Sequence, residues 1–225
     1  QLAPEGSNGR TIELPTDFIS SAQIDLALNE IFRPATEGAK EDFNKLFVPF
    51  YCVAADMNTR KEVVFRNGDL GEAIRASMSI PFVFKPLRKD DMLLYDGGVF
   101  NNFPWRYMRK FYHPDHIIGV KCTTGNKEVT ENSSVIDQAM MFIMTHTDYA
   151  LPERGNIFID RAVDAGMLEF EKASEIIQQG YDDTMARMDE ILATIPNRRS
   201  LAEVEARRAE YVKSLPPMRP TRPKT

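Results

Sequence analysis

The sequence predicts an α/β sandwich carried by a largely parallel sheet, and three observations point that way. Apolar strand-like runs alternate with helical ones, the order from which strand–helix units and parallel sheets are built. One of those runs, "DHIIGVKC" at residues 115–122, is apolar almost without interruption, as expected of a strand covered on both faces. The chain has 225 residues, enough for one sizeable core or a core with an appendage.

The elements follow in order. Residues 1–17 read as loop, and "SAQIDLALNEIFRPA" as an amphipathic helix ending before Pro34. "LFVPFYCVAADMNTRKEVVF" reads as a buried strand, a polar turn near Asn58–Lys61 and a second strand. Asp69 is placed to cap the next helix, with Glu72 completing a capping box. Leu70, Ala73, Ile74 and Met78 share one face of that helix, and Pro81 stops it. "MLLY" is a short strand delivering Asp96, and "SVIDQAMMFIMTHTDYA" a buried core helix before a short strand "NIFID". "ASEIIQQGYDDTMARMDEILATI" predicts one long helix with Ile176, Ile177, Tyr181, Met185, Met188, Ile191 and Leu192 inward. Gly180, which costs about 1 kcal/mol relative to alanine in mid-helix, is expected to mark a close packing contact. Residues 196–225 change character: a charged helix with a thin apolar stripe (Leu201, Val204, Tyr211, Leu215), then a proline-rich basic tail. The division is therefore residues 1–195 as a folded domain and 196–225 as helix and linker or tail.

Composition narrows the function. With 43% hydrophobic and 27% charged residues, the bulk of the chain is folded rather than disordered. A net charge of −5 argues against a dedicated nucleic-acid binder. Cys52 and Cys122 lack C-x-x-C spacing and sit in apolar runs, which favours two buried thiols over a redox or metal role. No run of 18 uncharged apolar residues spans a bilayer, and neither a cofactor nor a metal is expected. The chain starts at Gln1 in a polar stretch without a signal peptide, which suggests that sequence precedes it.

"LLYDGGVFNNFPW", Leu93 to Trp105, carries the chemistry. Asp-Gly is a strong turn signal, so one reading makes "DGG" a hairpin turn between "MLLY" and "VF". The other holds Asp96 as a general base at a strand end. Gly97 and Gly98 then supply clearance and tolerate positive φ, while Asn101 and Asn102 tie down the loop before Pro104. Histidine offers no competing base: His113 and His116 flank Pro114 in a loop, and His146 reads as a core residue.

An ordered set of pieces resolves the choice. Ala55-Asp56, Ala73 to Pro81, Phe84-Lys85-Pro86, Asp96-Gly97-Gly98 and Asn102-Phe103-Pro104 together resemble the C-terminal part of patatin-like phospholipases, densely over roughly residues 45–125. The resemblance implies a three-layer α/β/α sandwich and a serine–aspartate dyad that hydrolyses acyl esters of lipids. Asp96 would be its base, supported by the motif residues Gly97, Gly98, Asn102 and Pro104. A carboxylate can play that part without histidine if burial raises its proton affinity. The family's G-x-S-x-G elbow and glycine-rich oxyanion loop are absent. Ser7 in "EGSNG" lacks both the first glycine and a leading strand, and Ser77 and Ser79 fit packing or capping. The nucleophile and oxyanion hole are therefore expected upstream, with this segment inactive alone. The alternative is a catalytically dead scaffold or binding module. An unrelated α/β domain, in which Asp96 only turns the chain, is the third reading.

By resemblance the C-terminal helices are similar to bacterial patatin-like proteins that continue into an outer-membrane barrel. That favours periplasm, outer membrane or secretion over cytoplasm, with a membrane surface as a possible partner beside the lipid or acyl-ester substrate. Met78, Phe82, Phe84, Phe100 and Phe103 suit an acyl chain, and equally a hydrophobic core.

Overall fold

A computed structural model describes residues 21–217, leaving out 124, 127–129, 132, 134, 153–154, 164–168 and 196. The loop expected over residues 1–17, Ser7 within it, and the tail beyond residue 217 lie outside the described residues.

Helix α1 (Ser21–Gly38) runs through Pro34 instead of ending before it. A proline inside a helix costs about 3 kcal/mol through its missing N–H and its clash with the preceding turn. Contacts of the last turn offset that cost. The Thr36 hydroxyl donates to Phe32 O at 3.0 Å and accepts the N–H of Leu70 at 3.2 Å, tying α1 to the start of α2 (Leu70–Ser77). Phe32 and Ala35 pack against the cluster of Phe43, Leu70 and Ala73. Asp69 caps α2 as expected, its carboxylate accepting Glu72 N–H at 2.7 Å, whereas Glu72 turns its own carboxylate to Lys89.

The α/β class predicted from the sequence is present and includes parallel pairing, but that pairing is narrower than predicted. Strands β1 (Cys52–Asp56), β2 (Lys61–Phe65), β3 (Leu87–Lys89) and β4 (Met92–Asp96) form one sheet in the order β2-β1-β4-β3. Every pair in it is antiparallel, with Asp56 opposite Lys61, Ala54 opposite Asp96 and Leu87 opposite Leu94. The tight turns between β1 and β2, and between β3 and β4, leave no room for the crossover that parallel neighbours need. Parallel pairing joins β5 (Ile118–Lys121) to β6 (Ile157–Asp160), with α4 (Val135–Ile143) in the connection.

Burial also departs from expectation. Strand β5 is covered on one face only: Gly119 is buried, while Ile118 and Val120 are exposed. Val135 and Phe142 of α4 are exposed too, so α4 is not buried all round. The predicted long helix divides at Arg187 into α5 (Ala173–Ala186) and α6 (Met188–Thr194). Polar anchors hold it there, since the Arg187 guanidinium reaches Phe158 O at 3.2 Å and Glu190, and Arg161 beside β6 pairs with Asp183. Ile176, Met188 and Ile191 are half-buried, but Ile177, Tyr181, Met185 and Leu192 are exposed. Gly180 faces open space, not a packing contact. Helix α7 (Leu201–Ser214), begun by a Ser200–Glu203 capping box, returns to set the Tyr211 ring 5.7 Å from that of Phe47.

Candidate functional site

Strand β4 ends on Asp96. Its N–H donates to Ser79 O at 2.9 Å, and β1 lies alongside with Ala54 opposite. No hairpin follows. Asp96 instead caps a single 3-10 turn, Gly97–Val99, with Oδ1 accepting Gly98 N–H at 2.7 Å. The carboxyl is largely withdrawn from water, and this desolvation raises its proton affinity above the usual carboxylate range, against the opposing pull of the Gly98 N–H.

Both glycines are required for space, not for positive φ, which neither adopts. A Cβ on Gly97 would stand 2.3 Å from Val53 O, so the turn lies directly on β1. A Cβ on Gly98 would meet Asn102 Oδ1 at 2.8 Å and Asp96 Oδ1 at 3.0 Å. Asp96, Gly97, Gly98 and Asn102 thus share one turn. Pro104 stands apart at the start of α3 (Trp105–Tyr112), its carbonyl accepting the Tyr51 hydroxyl at 2.7 Å.

The loop is tied as the asparagines suggested. Asn101 Nδ2 donates to Glu62 at 3.0 Å, Asn102 Nδ2 to the Tyr149 hydroxyl at 3.2 Å, and Asn102 N–H to the Thr147 hydroxyl at 3.0 Å. Thr145 adds its N–H to Val99 O at 2.8 Å and its hydroxyl to Phe100 O at 2.8 Å. Residues 145–149 were not foreseen, and a separation of about half a hundred residues leaves no local signal for them.

Two further polar centres hold Asp96 in place. The Asp56 carboxylate, fully buried, accepts N–H groups from Asn58, Thr59 and Leu93 and the Thr59 hydroxyl at 2.6 Å. Arg75, buried on α2, reaches Asp25 at 2.6 Å, Lys85 O at 3.0 Å and the Ser79 hydroxyl. An arginine on the helix face that also carries Ala76 was the sequence signal for such a hub. Ser77 donates to Val53 O at 2.7 Å and Ser79 to Arg75 O at 2.7 Å, the packing roles expected of them. Among the described residues, no serine hydroxyl hydrogen-bonds the Asp96 carboxylate.

The other candidates scatter. Cys52 is half-buried, with burial pushing its thiol up to about 12, but Cys122 is exposed, unlike the buried thiol predicted. His146 lies beyond α4 and is exposed, not in the core. Phe84 is buried and Phe82 exposed, while the half-buried Phe103 shares a cleft of about 200 Å³ with Phe100, so the five proposed acyl-chain residues are not alike in their surroundings. Phe100 lines an open cleft of about 490 Å³ with Arg60, Lys61, Glu62, Tyr107 and Thr145, which Asp96 does not line. Among the described residues no His, Cys, Asp and Glu side chains gather as a metal site, and no helix is long and apolar enough to cross a membrane.

Comparison with known proteins bears on this geometry. A family model described as patatin-like phospholipase matches residues 20–109, starting before the dense resemblance at residue 45 and ending short of residue 125, and enclosing Asp56, Arg75 and the Asp96 turn. An uncharacterized NTE family protein of Mycobacterium tuberculosis is 42% identical over 59 residues, which are 26% of this chain and 10% of that protein. A second from the same species is 43% identical over 60 residues, 27% of this chain and 17% of the other. A patatin-like phospholipase domain-containing protein of Caenorhabditis elegans is 32% identical over 107 residues, 47% of this chain and 7% of its own length. The matched stretches thus span a small part of these relatives.

Proposed function

We propose that the chain, whose residues 20–109 match the patatin-like phospholipase family model, is part of a lipid acyl hydrolase in which Asp96 is the general base. The observation that carries the reading is Asp96 itself, a strand-end carboxyl with raised proton affinity, one oxygen fixed by Gly98 N–H and Asn102 packed close against that glycine.

The chemistry follows from that carboxyl. A serine hydroxyl attacks the acyl carbonyl as its proton passes to Asp96; the proton then goes to the departing alcohol. Water, deprotonated by the same carboxylate, attacks the acyl-enzyme and releases the fatty acid and the serine. Unshifted, a carboxylate is a weak base for an alcohol, so the raised affinity has a purpose. The serine comes, on this reading, from a G-x-S-x-G elbow in a preceding segment. In support, the sequence contains no such elbow, and Ser77 and Ser79 spend their hydroxyls on backbone carbonyls.

A serine-directed phosphonate tests the division of labour. This chain alone is expected to hydrolyse no p-nitrophenyl ester and to take no label, whereas a polypeptide that includes the preceding segment turns over and is labelled at the elbow. Turnover by this chain alone, or turnover that survives the phosphonate, contradicts the reading.

A further inference from the structure

We propose that the face formed by β2, the turn before it and α3 is a docking surface for an anionic phospholipid bilayer; the proposal rests on the lipid hydrolase reading. The sequence carries a net −5, yet this face gathers cations. Arg106, Arg109 and Lys110 are exposed on α3 at spacings of three and four, which puts them on one side of the helix. Arg60 and Lys61, also exposed, share the 490 Å³ cleft with Tyr107 of α3.

Aromatic rings join the two elements. Tyr107 and Phe111 stack with centroids 5.6 Å apart. The Arg66 guanidinium lies 4.1 Å from the Phe111 centroid and Lys110 Nζ 5.6 Å from the same ring. Of the nearby acids, Asp148 is paired with Arg106 and Asp42 with Lys45; Glu62, hydrogen-bonded by the neutral Asn101 amide, is outnumbered by Arg60, Lys61, Arg109 and Lys110. What remains is Arg60, Lys61 and Lys110 about the half-buried Tyr107 and Phe111, with Arg109 beside Trp105, the pairing of cations and aromatic rings that suits a headgroup layer. The lipid hydrolase reading, not charge, favours a bilayer over a nucleic acid as the occupant of this face. Phe100 lines the cleft and directly follows the Gly97–Val99 turn, so a bilayer seated here brings esters beside the Asp96 loop.

The test is sedimentation of the full chain with vesicles of phosphatidylglycerol and phosphatidylcholine, and of phosphatidylcholine alone. Binding is expected to the anionic vesicles only, and to weaken in high salt. The double variant Arg109→Glu, Lys110→Glu is expected to bind at least roughly 20-fold more weakly, at ~fivefold per basic residue lost. If that variant fails to fold, by circular dichroism, Lys61→Glu on the edge strand serves instead, with a loss of at least about fivefold. Equal binding to both vesicle types, undiminished binding by folded variants, or preference for inorganic phosphate or RNA over anionic vesicles overturns the proposal. Asp96→Asn separates this proposal from the hydrolase reading, because vesicle binding is read without turnover. Pelleting as in the wild type is expected of it, and loss of pelleting by the folded variant contradicts cationic docking.

Discussion

The buried carboxylate of Asp56 accepts the backbone N–H of Leu93 at 3.0 Å, fixing the end of β1 to the strand that delivers Asp96. The same carboxylate closes the turn that follows through Asn58 and Thr59. A residue that reads as part of a motif is thus a knot between three backbone segments.

Asp56→Ala leaves several buried donors without acceptors and is expected to cost roughly 3 kcal/mol of stability in chemical denaturation. The Thr59 hydroxyl, above all, lowers the Asp56 proton affinity below the usual 3.8, helped by the Leu93 and Asn58 N–H groups. A depressed folded-state value means that Asp56 contributes fully above the ordinary carboxylate range and loses that contribution as pH falls through the lower folded value. The gap between wild type and variant should therefore narrow in acid.

Arg75→Met tests the hub on α2. It removes donors from Asp25, Lys85 O and Ser79 while keeping the apolar stem. A loss of roughly 2–4 kcal/mol is expected from urea titration.

Gly97→Ala tests the close approach of the turn to β1. Its Cβ would stand 2.3 Å from Val53 O, and the carbonyl belongs to a paired strand that cannot swing aside. Destabilisation of roughly 1–3 kcal/mol is expected, read as a lowered melting temperature.

Asp96→Asn should do the reverse at neutral pH. Burial raises the Asp96 proton affinity, so its ionised form weighs against the fold, and its stability contribution is lost as pH rises through the raised folded value. The asparagine can keep the Gly98 N–H as donor to its side-chain oxygen. The variant is expected to melt above the wild type at pH 7, with the difference shrinking towards the ordinary carboxylate range.

Local signals were legible in the sequence. The Asp69 cap, the β1–β2 turn and the strand ending on Asp96 each depend on residues within a few positions of one another. Sheet direction was harder to read. An apolar run such as Ile117–Val120 looks the same whether one face or both are covered, and tertiary packing left Ile118 and Val120 exposed. The division at Arg187 follows from a contact with Phe158 O, 29 residues away, which no helical periodicity contains. At the site, the turn was readable while its braces from Thr145, Thr147 and Tyr149 were not.

The most direct measurement is ester hydrolysis by a polypeptide joining this chain to the preceding segment proposed to carry the serine, with Asp96 or with Asp96→Asn, both shown to be folded. If Asp96 accepts the serine proton, the asparagine variant loses a factor of roughly 10²–10⁴ in kcat. A rate equal to the wild type removes Asp96 from the chemistry.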